Sequence, residues 1–343
     1  MAATVTYMET LYQVEGNEKE VRNAHSWVPA VGPVKGVICI AHGILEHGLA
    51  YDECAKMLAN NGYAVHAIDF KGHGLSSGKR AWIDDYREFV DDFVAFAALV
   101  RTKHDLALPF FVFGHSMGSM VTHIAVNRIP GVRAMLISGF PIHDGPGSSS
   151  LFGIRALYFV SQLSITPWLA KQLAWLAPEA DTAPLSLESV TSDTAMIEKF
   201  RNDDRRPRGV IINKTAAELK DMQAACVESL SSITLPIKYI HGEEDDIAYA
   251  SGSKHAFETV ATVPEYKSLR VYKHLKHECI NEVQPARNGV YADILAFFDN
   301  ETRYERVRIG SFDHQVASGA IKGLPAAADM EGWQSRSLVK CTM

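Results

Sequence analysis

The serine best placed for nucleophilic chemistry lies in residues 114–118, whose sequence is Gly-His-Ser-Met-Gly. This segment follows the apolar run 109–113 and precedes the helix-like stretch 119–128. A sharp turn between a strand and a helix strains the serine backbone, projects its hydroxyl from the sheet edge and sets the first helical N–H groups behind it. The flanking glycines remove Cβ atoms that would clash. The pattern therefore predicts Ser116 as a nucleophile.

Residues 74–78 carry the same Gly-x-Ser-x-Gly pattern, so the pattern alone does not identify the nucleophile. The apolar run 64–70 has already ended before this segment, and Lys-Gly-His separates the two. No helix-like stretch begins directly after Gly78. A turn without the strand and the helix does not position a hydroxyl for attack. We therefore interpret Ser76 as a serine of a glycine-rich loop.

Two polar clusters later in the chain contain candidates for the acid and the base that activate a serine. Residues 241–246, His-Gly-Glu-Glu-Asp-Asp, follow the apolar run 237–240, and residues 274–278, His-Leu-Lys-His-Glu, follow the run 269–273. Enzymes of this type carry both side chains on loops at strand ends. Because adjacent buried carboxylates repel one another, most of the acidic cluster must be solvated. On this pattern alone, the acting acid and histidine stay open.

Acyl transfer also needs two backbone N–H groups that face the oxyanion of the transition state. Met117 directly follows the predicted nucleophile and supplies the first of them. The second is expected in the loop after the apolar run 36–41, and we assign it to the N–H of Ile44. Gly43, beside it, permits a close approach of the backbone.

Short apolar runs alternate with helix-like stretches from about residue 36 onward, which is typical of a mostly parallel sheet with helices on both faces. The predicted strands are 36–41, 64–69, 110–114, 133–138, 237–240 and 269–273. The predicted helices are 51–61, 86–103, 119–128 and 286–298. Two weaker extended stretches before residue 32 predict antiparallel edge strands. The predicted fold class is α/β.

The alternation stops between residues 139 and 215, which predicts an inserted cap. We place the sheet domain at residues 1–140 and 216–302, the cap at 141–215, and a C-terminal extension of unknown role at 303–343. The stretch 151–176 is rich in Leu, Phe and Trp and predicts two cap helices split near Pro167. Its apolar side chains are expected either to pack on the sheet domain or to contact lipid.

The composition is that of an ordinary globular protein, with 343 residues of which 47% are hydrophobic and 22% charged. A net charge of −6 argues against nucleic acid as a partner. The five cysteines are scattered and lack Cys-x-x-Cys spacing, so we expect reduced thiols in the cytoplasm and no metal site. We expect neither a secretory signal peptide nor a membrane-spanning helix, since no apolar run has the required form or length.

Residues 42–47 are His-Gly-Ile-Leu-Glu-His, and residues 69–78 are Asp-Phe-Lys-Gly-His-Gly-Leu-Ser-Ser-Gly. Together with residues 114–118, these segments resemble the successive motifs of the monoacylglycerol lipases, also called the lysophospholipase-like α/β-hydrolases. The resemblance spans roughly residues 40–298, the larger part of the chain. It implies an α/β-hydrolase fold with an inserted helical cap over a tunnel for an acyl chain.

The resemblance also implies which acid and which histidine act. In the family the acid occurs in a Gly-x-x-Asp segment after a strand, which selects Asp245, with Asp246 as its rival. The family's histidine falls five residues after a tyrosine near the strand start. Counted from Tyr272, that position is His277, with His274 as its rival.

The family's oxyanion donors fall on Ile44 and Met117, and the glutamate of its His-Gly motif is present as Glu46, which is expected to bind substrate. Two other positions depart from the family pattern. Ala50 stands where an arginine is usual, and Ile280 stands where a second histidine lines the polar end of the site. These departures concern the recognition of the head group and not the chemistry.

The resemblance implies a serine hydrolase that cleaves carboxylic esters of single-chain glycerolipids, most directly monoacylglycerol, through an acyl-enzyme on Ser116. It implies no metal or cofactor, and it implies peripheral contact of the cap with membranes. A lysophospholipase and a general carboxylesterase with the same three residues are the alternatives among enzymes. A non-catalytic ligand receptor on the same fold is the alternative from a different class. Acyl length and oligomeric state stay open.

Overall fold

The computed structural model describes residues 5–14, 17–142, 175–303 and 335–336, and eleven strands lie within these ranges. The strands are β1 (Val5–Val14), β2 (Asn17–Pro29), β3 (Gly36–Ala41), β4 (Tyr63–Ile68), β5 (Phe110–His115), β6 (Val132–Ser138), β7 (Asp181–Pro184), β8 (Val210–Ile212), β9 (Ile237–Gly242), β10 (Lys267–Tyr272) and β11 (Ser335–Arg336). All except β7 and β8 form one nine-stranded sheet, and those two pair antiparallel with each other.

The large sheet is parallel over most of its width, as the apolar strand pattern predicts. Its strand order is β10-β9-β6-β5-β3-β4-β2-β1-β11, and the neighbours from β10 to β4 all run parallel. β1 and β2 pair antiparallel, and β2 joins β4 antiparallel, which confirms the edge strands expected before residue 32. Every residue of β3, β4 and β5 is buried, since both faces of the sheet are covered.

Helices pack on both faces of the large sheet. The described residues contain α1 (Asp52–Asn60), α2 (Tyr86–Thr102), α3 (Met117–Ala125), α4 (Leu187–Val190), α5 (Thr194–Arg201), α6 (Asn213–Ser229), α7 (Ala250–Thr259) and α8 (Ala286–Arg303). One apolar cluster includes side chains of α2, α3, α6 and α7, and a second includes side chains of α1 and α8. Short 3-10 helices cover Gly48–Tyr51, Val126–Arg128, Leu230–Ser232, Pro264–Tyr266 and Cys279–Asn281.

The sequence pattern did not indicate α6 and α7. α7 buries only Gly252, Ser253 and Ala256, so no large apolar side chain marks its inner face. Three of the five residues that α6 buries are threonine, alanine and cysteine, which give an equally weak apolar period. Small side chains form the inner face of α7 and part of that of α6, so neither helix gives a strong hydrophobic pattern.

The described part of the predicted cap, residues 175–212, contains β7, β8, α4 and α5. Of the stretch 151–176, only Trp175 and Leu176 lie within the described residues, and both are exposed. Most of the two predicted cap helices, and residues 304–334 and 337–343 of the predicted extension, lie outside the description. The domain boundaries therefore stay predictions. In the described ranges, no helix has the length and apolar character needed to cross a membrane.

The parallel strands bring all the candidate site segments to one edge of the sheet, because their carboxyl ends point the same way. These ends are Ala41 of β3, His115 of β5, Gly242 of β9 and Tyr272 of β10. The four loops that follow them carry the predicted nucleophile, oxyanion donors, acid and base.

Candidate active site

Ser116 occupies a strained turn between β5 and α3. Its φ is +50° and its ψ is −121°, a backbone conformation that residues other than glycine rarely adopt. The Ser116 N–H donates to the carbonyl oxygen of Ser138, at the end of β6, over 2.9 Å. Because Ser116 directly precedes α3, it lies at the positive end of the helix dipole.

Gly114 and Gly118 make this turn possible, since neither position has room for a side chain. A Cβ atom on Gly114 would lie 2.4 Å from Oγ1 of Thr122, within the first turns of α3. A Cβ atom on Gly118 would lie 2.1 Å from the carbonyl oxygen of Ala41, at the end of β3. The two glycines therefore let α3 begin in direct contact with both strands.

Asp245 and His277 form a buried hydrogen bond of 2.7 Å between Oδ2 and Nδ1. The other carboxylate oxygen, Oδ1, accepts from the backbone N–H groups of Ile247 and Ala248, over 2.9 and 2.8 Å. Nε2 of the buried His241 lies 3.0 Å from Oδ2. Every contact of Asp245 thus fixes one orientation, with one edge of the carboxylate facing His277.

The two rivals of these residues lie elsewhere. His274 is 81% exposed and its Nδ1 is 2.9 Å from Oε1 of Glu244, itself half exposed. Asp246 has its Oδ2 3.3 Å from the Ser189 hydroxyl and makes no contact with His277 among the described residues. The structure therefore brings together Asp245 and His277, the pair that the resemblance selects, and directs both rivals away from it.

His277 approaches Ser116 across the end of β6. Its ring centroid is 4.8 Å from that of His115, the residue before Ser116. A Cβ atom on Gly139 would lie 2.9 Å from His277 Cε1 and 3.1 Å from His115 Cε1. Gly139 follows Ser138, the residue whose carbonyl accepts the Ser116 N–H. The candidate base and the candidate nucleophile thus flank the same turn.

The oxyanion donors expected from the sequence also border Ser116. Met117 is the first residue of α3, so its N–H has no acceptor within that helix. A Cβ atom on Gly43 would lie 3.1 Å from Ser116 Cβ, which puts this loop against the nucleophile. The Gly43 N–H is already donated to Glu46 Oε1, over 2.6 Å. Ile44 carries the next N–H of the loop.

Asp245 and His277 shift each other's pKa in the sense of an ion pair. Burial alone would raise the pKa of the Asp245 carboxyl, but His277 and His241 hold it well below its usual range. Burial alone would lower the pKa of His277, but Asp245 raises it above the ordinary value. An ionised Asp245 can only accept, so His277 Nδ1 must donate and Nε2 is left as the acceptor. This tautomer can take a proton from an alcohol.

Glu46 lies on the same loop, in the interior. Its Oε1 accepts from the Gly43 N–H and, over 3.3 Å, from the Tyr51 hydroxyl. Burial, with a contribution from Glu278, raises the pKa of Glu46 to about 8. A carboxyl group with this pKa is largely protonated at pH 7, so it can donate a hydrogen bond as well as accept one.

The polar end of the site contains an arginine that sequence reasoning missed. Ala50 and Ile280, the positions that depart from the family pattern, pack with the second apolar cluster. The ionisable groups here are instead Glu46, Glu278 and Arg206, with Arg206 Nη2 3.4 Å from Glu278 Oε1. Arg206 belongs to a charged run of the cap that carried no distinguishing pattern. Only folding brings residue 206 to residue 278.

Two buried groups of described residues have the side-chain types of a metal site, namely His25 with His47 and Asp69, and Glu46 with His115 and Glu278. The Asp69 carboxylate accepts hydrogen bonds from two backbone N–H groups and from the Asn23 amide, and it contacts His25 at 3.1 Å. These contacts make Asp69 part of a buried hydrogen-bond network of the core. That no metal or cofactor takes part in the reaction stays a prediction.

Comparison with known proteins identifies the family. The Hydrolase_4 family model, described as serine aminopeptidase, S33, matches residues 32–284. The chain is 31% identical over 274 residues to the monoacylglycerol lipase of Mycolicibacterium smegmatis, which covers 79% of this chain and 90% of that protein. It is 28% identical over 264 residues to the phospholipase YtpA of Bacillus subtilis, covering 77% of this chain and 95% of that protein.

A solved structure shares the fold. It is a soluble variant of the monoglyceride lipase from Saccharomyces cerevisiae in complex with a substrate analog, with 20% identity and a TM-score of 0.70. The match covers 88% of this chain and 96% of that one. The family match spans most of the chain and includes the strained serine turn, the acid and the histidine. The chain therefore belongs to the Hydrolase_4 family of α/β-hydrolases and, with a monoacylglycerol lipase relative at 31% identity, is a carboxylic ester hydrolase.

Proposed function

We propose that this protein hydrolyses the ester bond of single-chain glycerolipids, most directly monoacylglycerol to fatty acid and glycerol, through an acyl-enzyme on Ser116. The observation that carries the proposal is the buried 2.7 Å hydrogen bond between His277 and Asp245, across one turn from the strained Ser116. The substrate class is supported by the relative in Mycolicibacterium smegmatis, which is named a monoacylglycerol lipase.

In the proposed reaction, His277 Nε2 takes the proton of the Ser116 hydroxyl while Oγ attacks the ester carbonyl. The N–H groups of Ile44 and Met117 hold the oxyanion of the tetrahedral intermediate. His277 then gives its proton to the departing alcohol, which leaves an acyl ester on Ser116. Water, deprotonated by His277, releases the fatty acid and restores the hydroxyl. Asp245 keeps the imidazole in the required tautomer in both halves.

The alcohol of the substrate is proposed to leave past Glu46, whose carboxyl group lies on the oxyanion loop. A Cβ atom on Gly43 would be 2.2 Å from Glu46 Oε1 and 3.1 Å from Ser116 Cβ, so both side chains border one small volume. A largely protonated carboxyl in this position can donate to a glycerol oxygen.

We further propose that the cap contacts membrane surfaces, from which the substrate is extracted. Support comes from Trp175 and Leu176, adjacent apolar side chains that are 77% and 67% exposed at the described end of the cap. Changing both to serine should weaken sedimentation with phosphatidylcholine vesicles several-fold. Val31→Ser is the matched control, since Val31 is equally exposed on the sheet domain. Equal binding of all three proteins would contradict membrane contact through this part of the cap.

A lysophospholipase is the second candidate, favoured by the likeness to the phospholipase YtpA. The two candidates share one mechanism and differ in the leaving group, which is glycerol in one and a phosphoglycerol ester in the other. A general carboxylesterase differs in the acyl chain, since it should lose rate as the chain lengthens.

One panel of substrates tests these candidates together. Wild-type protein and Ser116→Ala should be assayed on a long-chain monoacylglycerol, the matching lysophospholipid and a short-chain ester. An aminoacyl nitroanilide is added because the matching family model is described as serine aminopeptidase. We expect the wild type to prefer the monoacylglycerol and Ser116→Ala to be inactive on every substrate. A preference for another member of the panel would assign that class instead. Stoichiometric labelling of Ser116 by a fluorophosphonate should occur in the wild type, whereas its failure would favour a non-catalytic receptor.

A further inference from the structure

We propose that Arg206, which the cap brings against Glu278, is a specificity-determining residue that binds the hydroxyl groups of the glycerol leaving group. This inference rests on the proposed function and adds to it the side of the site that recognises the alcohol. The observations that support it concern how Arg206 is placed, what it contacts, and what charge surrounds it.

The chain just before Arg206 is anchored to the sheet domain. Oδ2 of Asp203 lies 2.8 Å from Nε2 of His47, the residue that follows Glu46. The carbonyl oxygen of Arg205 accepts from Arg80, and the Arg205 side chain pairs with Glu9 of β1 at 2.7 Å. Residues 203–206 therefore lie against the loop that carries the oxyanion donors. Because these anchors belong to neighbouring residues, they do not occupy the guanidinium of Arg206.

The Arg206 guanidinium is held at a fixed position and retains a donor. Its Cζ lies 3.6 Å from the centroid of the Phe200 ring, which stacks on it and sets its plane. Nη2 reaches Glu278 Oε1 at 3.4 Å, a long contact. Nε is buried and has no acceptor among the described residues. The side chain as a whole is 9% exposed, so a substrate oxygen that accepted from Nε would satisfy an otherwise buried donor.

Carboxylate acceptors lie beside the guanidinium, on the side of Nη2. Glu278 follows the candidate base His277, and its Oε2 accepts from Asn281 over 2.6 Å, which fixes the carboxylate. Its Oε1 faces Arg206. Glu46 completes the group, because a carboxylate oxygen of Glu46 and one of Glu278 lie within 4.8 Å of each other. These side chains thus offer both donors and acceptors next to the candidate base, as a pair of vicinal hydroxyl groups requires.

The charge balance of the pocket favours a neutral alcohol over a phosphate. The positive charge of Arg206 is matched by the carboxylate of Glu278, and Glu46, with a pKa of about 8, adds little negative charge at pH 7. A phosphoglycerol group would bring a second anion beside Glu278, with only one guanidinium to serve both. A glycerol group changes no charge and can bridge Arg206 and Glu278 through its hydroxyls.

The test compares a 1-monoacylglycerol with the propyl ester of the same fatty acid, which has the same carbon skeleton without the two hydroxyls. Arg206→Gln should lower kcat/KM for the glycerol ester about tenfold or more, mostly through KM, and leave the propyl ester within about twofold. Arg205→Gln is the matched control, since this neighbour pairs with Glu9 and makes no contact with Glu278 among the described residues. It should leave the ratio of the two substrates unchanged.

Other outcomes decide against the inference. Equal losses on both esters would mean that Arg206 only supports the fold or the cap, and no loss on either would mean that it does not meet the alcohol. If Arg206→Gln fails to fold, the wild type alone gives the answer, because equal kcat/KM for the two esters would overturn the inference. A wild type that cleaves neither ester, yet is labelled at Ser116, would refute the proposed substrate class instead.

Discussion

Residues 74–78 and 114–118 share the pattern Gly-x-Ser-x-Gly, and their serines are equally buried, each with 7% of its surface exposed. Their hydroxyl groups differ. Oγ of Ser76 donates to the carbonyl oxygen of Asp69 over 2.6 Å and accepts from the Asn23 N–H over 2.8 Å. Within the described residues, Oγ of Ser116 has no hydrogen-bond partner. Exposure therefore does not distinguish the proposed nucleophile from the loop serine, whereas hydrogen bonding does.

The backbone explains why one hydroxyl is engaged and the other is not. In residues 74–78 the two glycines take the positive φ values, +52° and +114°, and the serine stays unstrained. In residues 114–118 the serine itself has a φ of +50°. Among the described residues, the unstrained turn supplies backbone partners for the Ser76 hydroxyl, and the strained turn supplies none for the Ser116 hydroxyl. The comparison indicates that the role of the serine in a Gly-x-Ser-x-Gly segment depends on whether a glycine or the serine itself adopts the positive φ.

The largest expected effect separates these two serines by activity. Ser116→Ala should lower kcat on monoacylglycerol at least about 10⁴-fold, because it removes the proposed nucleophile. Ser76→Ala should leave kcat within about threefold, because its hydroxyl bonds only to backbone. Initial rates at saturating substrate measure both, and a melting curve verifies that each variant is folded. Similar losses in the two variants would show that the comparison is wrong.

The same contrast extends to the two adjacent acids. Asp245→Asn should lower kcat about 10⁴-fold, because an amide no longer fixes the tautomer of His277. Asp246→Asn, which changes only a contact near Ser189, should stay within about threefold. The two variants are best compared by single-turnover rates of acyl-enzyme formation. If Asp246→Asn lost activity and Asp245→Asn kept it, the acid would be Asp246 instead.

The pH dependence of kcat/KM tests the role of His277 as the proposed base. Only a neutral imidazole can accept the Ser116 proton, and Asp245 raises the pKa of His277 above its ordinary 6.5 despite burial. The acid limb of kcat/KM should therefore have its midpoint above pH 6.5 and fall about tenfold per pH unit below it. Ser76→Ala should keep this midpoint, whereas Asp245→Asn should move it to lower pH. A midpoint that stays fixed in Asp245→Asn would remove the acid from the proposed relay.

The smallest expected effect is on stability, where Ser76 matters more than Ser116. Ser76→Ala leaves the buried Asn23 N–H without its acceptor, so it should lower the free energy of unfolding by about 1–3 kcal/mol. Ser116→Ala removes a hydroxyl that has no hydrogen-bond partner within the described residues, so it should change that free energy by less than about 1 kcal/mol. Chemical denaturation followed by tryptophan fluorescence gives both values. A larger loss of stability in Ser116→Ala would show that this serine also stabilises the fold.

Much of the sheet could be predicted because buried parallel strands are continuous apolar runs. β3 to β6, β9 and β10 lie where the runs predict them, to within a few residues. α6 and α7 could not be predicted, because their inner faces use small residues such as Ala216 and Ser253. The stretch 151–174, for which two helices are predicted, lies outside the described residues.

For the candidate site, the sequence alone predicts the type of chemistry. A serine between a strand-like run and a helix, with carboxylates and histidines after two later runs, already indicates nucleophilic acyl transfer. These patterns are local, since each needs only the chain within about ten residues of the side chain concerned. The motif resemblance then selected Asp245 and His277 among their neighbours.

Only the tertiary structure decided which side chains meet. Asp245 turns toward His277 because two N–H groups hold its second oxygen, and His274 lies outside on Glu244. Arg206 reaches Glu278 only through the fold of the cap on the sheet domain. Contacts between residues so distant along the chain depend on the packing of whole elements and the burial of charge, and no local pattern of residue types encodes either.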